Sequence, residues 1–230
     1  MTKSGLYDKS SDKGDCGAPT AVKSLTGLLV FGLLASTGTV VTFDGDQIGK
    51  IPPGWSVAMT NGGEAPRWEI RKDTSAATQP YVLAQTSSDT TDNRCPLAIL
   101  NKPSLRDADV SVRVKPVAGR EDEAGGIVWR YRDANNYYLA REDALTKNVA
   151  IYKVENGRVT QLARAVPHAI EPNSWNILKV AARGDRFQVY LNHRRILQAQ
   201  DRTFSGAGKV GLWTLGDSVT YFDDFRVYPK

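Results

Sequence analysis

GGIVWRYRDANNYYLAR, residues 125–141, reads as strand, turn and strand, with apolar and aromatic side chains alternating with arginines around Asp133-Ala-Asn-Asn136. Successive side chains of a strand point to opposite faces. Ile127, Trp129 and Tyr131 therefore share one face, and Val128, Arg130 and Arg132 share the other. Arginine is seldom buried unpaired, so the first set is expected to face a core. On the returning strand Tyr138 and Ala140 then point inward, leaving Tyr137, Leu139 and Arg141 outward. The end of the chain, GKVGLWTLGDSVTYFDDFRVYPK (residues 208–230), repeats the pattern, with Val210, Leu212 and Thr214 inward and Trp213 outward.

The same rhythm runs from Thr39 onward. Thr39–Phe43, Trp68–Ile70, Tyr81–Leu83, Leu97–Leu100 and Asp109–Lys115 read as short strands, and Ile51–Trp55 as a rigid turn. Asn156-Gly157 is a two-residue hairpin signal, because both central residues of such a turn need positive φ. Arg183-Gly184-Asp185, Asn192-His193 and Gly216-Asp217 mark further turns. Turns this frequent, without a convincing amphipathic helix, predict an all-β chain built as a two-sheet antiparallel sandwich.

At 230 residues and 41% hydrophobic, the chain can bury the core of one large β domain. Its net charge of +5 is modest. Bases are interleaved with acids, as in Arg120-Glu121-Asp122-Glu123 and Arg141-Glu142-Asp143. The sequence thus shows no polycationic stripe, and nucleic acid is not an expected partner.

Residues 1–24 are polar and aperiodic, and are expected to be disordered. The apolar run Leu25–Gly38 follows Lys23 and ends in small residues, so it reads as an export-signal core with Ser36 and Gly38 at the small-residue cleavage positions. It falls short of the roughly 20 apolar residues that a spanning helix needs. Asp8, Asp12 and Asp15 depart from a purely basic leader, which keeps an uncleaved membrane anchor and a buried element of the fold as alternatives. The expected organisation is a leader over 1–38, a single domain over 39–230, and export from the cytoplasm. Cys16 and Cys95 cannot make a disulfide framework. Cys95 opens an apolar strand and is expected to be a buried small hydrophobe.

GGIVWRYRDANNYYLAR, the pair Trp175–Val180 and Phe187–Leu191, and the ending Gly208–Thr214 with Tyr221–Phe225 resemble the concanavalin A-like lectin/glucanase superfamily. Phe43-Asp-Gly-Asp46 and Pro53-Gly-Trp55 fit the same pattern. More narrowly, the chain is similar to laminin-G-like jelly rolls of exported bacterial proteins, close to the 3-keto-disaccharide hydrolase domain. The resemblance covers residues 40–230. It implies a jelly-roll sandwich and a carbohydrate or polysaccharide partner, and leaves open a lectin, an enzyme or a structural module.

An outward ring beside hydrogen-bonding cations suits a sugar, whose C–H faces pack on the ring while its hydroxyls bond the guanidinium. Arg130, Arg132, Tyr137, Arg141 and Trp213 are the candidate ligand-binding residues, with Lys153 at their margin. The competing reading is a solvated cation–π ladder on the sheet surface.

Retaining glycosidases need two carboxyl groups about 5–5.5 Å apart. The glucanase Glu-x-Asp-x-(x)-Glu spacing is missing here. Glu121-Asp122-Glu123 is contiguous and expected in a solvated loop, so Glu142 is the one weak catalytic candidate. His168 and His193 form no metal-ligand spacing. A carbohydrate-binding domain without its own catalysis is therefore the leading reading. A glycoside or 3-keto-disaccharide hydrolase or lyase of the same fold is the alternative, and a structural or protein-interaction module the third. Asp44, Asp46, Asp223 and Asp224 are hard oxygen ligands on the terminal strands and candidates for a structural Ca²⁺. Turn carboxylates capping backbone amides are the simpler account of them.

Overall fold

The computed structural model describes residues 37–166 and 170–230. The leader expected over 1–38 lies almost wholly outside the described residues, as do Cys16 and His168. No helix among the described residues is long and apolar enough to cross a membrane.

The strands are β1 (Thr39–Val41), β2 (Trp55–Thr60), β3 (Trp68–Lys72), β4 (Tyr81–Gln85) and β5 (Cys95–Leu105). Then come β6 (Ala108–Ala118), β7 (Ala124–Asp133), β8 (Asn136–Asp143), β9 (Asn148–Glu155) and β10 (Arg158–Ala165). The last five are β11 (Asn176–Arg183), β12 (Arg186–Leu191), β13 (Arg194–Gln200), β14 (Gly208–Thr214) and β15 (Val219–Pro229). One sheet runs β13-β12-β11-β6-β15-β4-β3, with β1 also on β15, and the other runs β10-β9-β8-β7-β14-β5-β2. The pairings within the sheets are antiparallel, so the two-sheet antiparallel sandwich expected from the sequence is the fold.

Alternation explains why these segments are strands. On β6, Val110, Val112 and Val114 are buried while Ser111, Arg113 and Lys115 on the other face are half-buried. The buried set meets Leu178 and Val180 of β11 and the inward residues of β7 and β8 in one core. Trp129 stacks on Tyr138 with ring centroids 5.5 Å apart, and Phe187 meets them at 5.2 and 4.7 Å. Burying each such side chain contributes about 1.5–3 kcal/mol. The hairpin turns follow their residues: Asn156 and Gly157 both have positive φ, as do Asn192 and His193.

One face assignment fails. Arg130 takes a positive φ of 49°, and the β7–β8 register shifts between Trp129 and Asp133. Such a bulge re-aims the side chains beyond it. Ile127 and Trp129 face the inter-sheet core as expected, but Tyr131 packs against the opposite face. Arg130, expected outward, is 1% exposed at one end of the sandwich. Its guanidinium donates to the carbonyls of Arg106 (2.9 Å), Phe204 (2.8 Å) and Gly184, pairs with Asp107 at 3.2 Å, and lies over the Phe187 ring. Arg132 is exposed, with its guanidinium 4.8 Å from the Phe204 ring.

The two arginines should therefore behave differently despite sharing a face on paper. Arg130→Ala strands the buried Phe204 carbonyl and removes two part-buried bonds, and should lower stability by about 2–3 kcal/mol in urea denaturation. Arg132→Ala removes an exposed cation–π contact worth about 0.5–1 kcal/mol. Equal effects would refute the bulge-based assignment.

Candidate functional site

The outer face of the seven-stranded sheet is apolar as well as its inner face. Leu97 and Ile99 of β5, Val128 of β7, Tyr137 and Leu139 of β8, and Trp213 of β14 form a second buried cluster there. Tyr137, Leu139 and Trp213 thus point away from the inter-sheet core, as the alternation predicts, yet they are buried.

Two charged side chains fasten loops at the end of this face. The Arg94 guanidinium, fully buried, donates to the carbonyls of Glu64 (2.9 Å) and Gly216 (3.0 Å) and to Ser87 Oγ (2.8 Å), with Asp89 at 3.4 Å. The Asp217 carboxylate accepts the backbone N–H groups of Arg120 (2.7 Å), Glu121 (3.2 Å) and Asp122 (3.0 Å). Segments 86–94 and 119–123 are thereby drawn to the β14–β15 turn. Glu121-Asp122-Glu123 is consequently not the solvated loop expected: Asp122 is half-buried and Glu123 is buried.

Trp213 on β14, Gly126 on β7 and Arg141 on β8 are consecutive cross-strand partners. Gly126 fills no space between the indole and the guanidinium, and a Cβ there would meet the Ala140 carbonyl at 2.6 Å. A pocket of about 120 Å³ opens on this face, walled by Trp213, Leu139, Tyr152 and Val154, with Arg141 and Asn93 as polar groups. Arg141 Nη1 donates to Asp143 at 2.6 Å, Nε and Nη2 reach Tyr152 Oη at 3.4 and 3.3 Å, and the guanidinium lies 5.5 Å from the Tyr152 ring. Burial works against the charge, while Tyr152 and Asp143 together hold it. Asp143 is itself fixed by accepting the Leu145 and Thr146 amides at 3.1 Å each. Burial raises the Asp122 pKa, the neighbouring Asp143 adds to this, and Arg141 opposes it. Burial pushes the Cys95 thiol up to about 12, leaving it an uncharged wall at neutral pH.

Of the five candidate ligand-binding residues, the structure brings Arg141 and Trp213 together. Tyr137 lies in the same cluster with its hydroxyl 2.7 Å from Thr60 Oγ1, and does not line the pocket. Arg130 and Arg132 lie elsewhere. Lys153 turns to the Tyr138 side, where it bonds Thr203 at 2.9 Å. Sequence reasoning missed Asn93 and Tyr152 in the lining and Asp143 as the partner of Arg141. The Tyr152 signal was readable, since it alternates outward beside Ile151 on β9.

The four aspartates considered for Ca²⁺ do not converge. Asp44 accepts the Tyr81 amide, Asp223 accepts the Thr78 amide and hydroxyl, and Asp224 pairs with Arg226 and Arg113. No group of three or more His, Cys, Asp or Glu able to hold a metal occurs among the described residues. Asp44 and Asp223 thus brace Thr78–Tyr81 as amide caps, which corrects the candidate Ca²⁺ site.

Fold and pocket together define a jelly-roll sandwich of the concanavalin A-like class. The chain is 37% identical over 102 residues to the levanase of Bacillus subtilis (strain 168), a match taking in 44% of this chain and 15% of the levanase. Among solved structures it is similar to the carbohydrate binding module CBM66 from Bacillus subtilis, with 27% identity, a TM-score of 0.56, and 75% of this chain and 94% of that one covered. It is also similar in fold to the exoplasmic/lumenal domain of VIP36, with 13% identity, a TM-score of 0.52, and 77% and 84% covered. No family model matches the chain.

Glu142, the catalytic candidate, faces away from the pocket. Its carboxyl is fully buried between the sheets, accepts from Asn176 Nδ2 of β11 at 3.3 Å, and leaves Oε2 without a partner. Burial pushes its pKa up from 4.5 to about 8, against the opposing Asn176 bond. Between these values the folded chain holds a proton that the unfolded chain has released, so stability should fall as pH rises from about 4.5 to 8 and then level off. Glu142→Gln should flatten that decline and melt at a higher temperature than the parent at pH 8. A parallel pH profile for the two proteins would refute the neutral buried carboxyl.

Proposed function

We propose that this chain is a carbohydrate-binding domain whose pocket between Trp213 and Arg141 takes one sugar unit of a polysaccharide. The observation that carries the reading is the row Trp213–Gly126–Arg141: an apolar ring and a fixed guanidinium face a shared gap. A sugar presents both complements, C–H patches for the indole and Tyr152, and hydroxyls for Arg141 and Asn93. At about 120 Å³ the pocket is below the roughly 300 Å³ at which drug-sized ligands begin to be enclosed, so the remainder of a polymer would lie outside it. The likenesses to a levanase and to CBM66 support the class and make levan the first polymer to test. Export belongs to the same proposal. A polysaccharide of that size is met outside the cell, and the apolar run Leu25–Gly38 is consistent with it.

Hydrolysis is the competing reading, and the observation that favours it is a pair of carboxyls, Asp122 and Asp143, near enough to each other and to Arg141 for their charges to interact. Against it, Asp143 is buried and committed to Arg141 and two amides.

Affinity electrophoresis and calorimetry with levan should show binding without release of reducing sugar. Arg141→Lys keeps the charge but loses the fork geometry, and should weaken binding at least about tenfold, as should Trp213→Ala. Arg132→Ala should leave it unchanged. Wild-type affinity in both pocket variants would overturn the assignment, and reducing-sugar release lost in Asp122→Asn would favour the hydrolase.

A further inference from the structure

β10 and β13 are edge strands of the two sheets, and they lie against each other to close one flank of the sandwich. Arg158 and Arg164 on β10, Arg186 on β12, and Arg194 and Arg195 on β13 are all exposed. None of the five forms an ion pair with a described residue. The acids nearest them in the chain are engaged elsewhere: Glu155 by Lys153, Glu171 by Lys147, Asp185 by Arg202, and Asp201 by Tyr138 and Lys153. Cations scattered along the sequence are thus gathered by the fold into a band in which the acid in register with them, Glu155 opposite Arg158, is already held by Lys153. β10 alone has 8 residues, so the band extends for roughly 26 Å.

The pairing places them around the flank. Arg164 is registered with Ala150 on the seven-stranded sheet, and Arg195 with Tyr190 on the eight-stranded sheet. Beside Arg186, the amides of Gln188, Gln198 and Gln200 line a cavity of about 410 Å³. Uncompensated charge of one sign attracts a polymer of the other. Guanidinium matches a carboxylate in two-point geometry, and the glutamines offer donors and acceptors to hydroxyls. Bases of nucleic acid need free rings for stacking. The aromatic residues of these three strands are Phe187, which is buried, and Tyr190, whose ring carries Lys179 at 5.6 Å and whose hydroxyl bonds Gln188.

We propose that the β10–β12–β13 flank is a second binding surface, lying beyond the pocket that β10 borders through Val159, for a polysaccharide bearing carboxylate groups. The probe is fluorescein-labelled polygalacturonate, titrated with the full chain by anisotropy at about 50 and 200 mM salt. The parent should bind it at low salt, ignore uncharged dextran, and lose at least about tenfold in affinity at the higher salt. The variant Arg186→Ser/Arg194→Ser/Arg195→Ser, confined to the eight-stranded sheet, should bind polygalacturonate at least about tenfold more weakly, with a salt dependence shallower by up to about one per arginine removed. Its levan binding and melting temperature should be unchanged, so failure of this proposal and failure of the pocket reading are told apart. Arg67→Ser/Lys72→Ser/Lys102→Ser removes equal charge from exposed sites elsewhere and should cost less than about twofold. Equal losses in the two triple variants, no loss in the first, or no binding by the parent would overturn the proposal. Tighter binding of a single-stranded thymidine oligonucleotide than of polygalacturonate would overturn the choice of occupant.

Discussion

The seven-stranded sheet is apolar on both faces, and one partner sheet can cover only one of them. Its inner face joins the common core; its outer face carries the second buried cluster. An uncovered sheet surface of that size would be an association hazard. Loops border this face at Ala134 and Leu215, and loops need fastening because they bring no hydrogen-bond ladder of their own. Arg94 and Asp217 supply it, one by donating to carbonyls and the other by accepting amides. The pocket is the remainder of this face, located where Gly126 contributes no side chain to the row between Trp213 and Arg141.

That geometry also explains how much could be read from the residues. Period-two alternation is local, and it placed Ile127, Trp129, Tyr138, Ala140, Val210 and Leu212 in the core. It equally placed Tyr137, Leu139, Arg141 and Trp213 on the opposite face. Alternation cannot say whether that opposite face is wet. The turn at Gly216 that borders it is gripped by Arg94, which is remote in sequence. Nor can alternation survive a bulge. The positive φ at Arg130 lies in an arginine, a residue that gives no warning of it, so Tyr131 and Arg130 exchanged the environments expected of them.

Glu142 shows a third kind of limit. Between Arg141 and Asp143, it looked like part of an acidic and basic surface run, and strand geometry turns it alone into the interior. There Asn176 bonds it, and Asn192 Nδ2 in turn bonds Asn176 Oδ1 at 2.9 Å, linking the two sheets through polar groups. A carboxyl with one unpartnered oxygen is tolerated in such a place because it can keep its proton.

The same alternation that buries Glu142 directs its two neighbours to the pocket face, where Asp143 serves Arg141. A surface arginine must surrender rotamer freedom to hold a ligand, a cost of about 0.5–1.5 kcal/mol per side chain. Arg141 has already surrendered it, held by Asp143 at 2.6 Å and by the Tyr152 ring and hydroxyl. The flank arginines are the opposite case, exposed and without fixed partners, so they are suited to following a mobile charged chain. One sandwich thus carries two kinds of arginine, one pre-ordered beside the pocket and others free along a flank. The difference follows from whether a carboxylate sits within reach of each guanidinium.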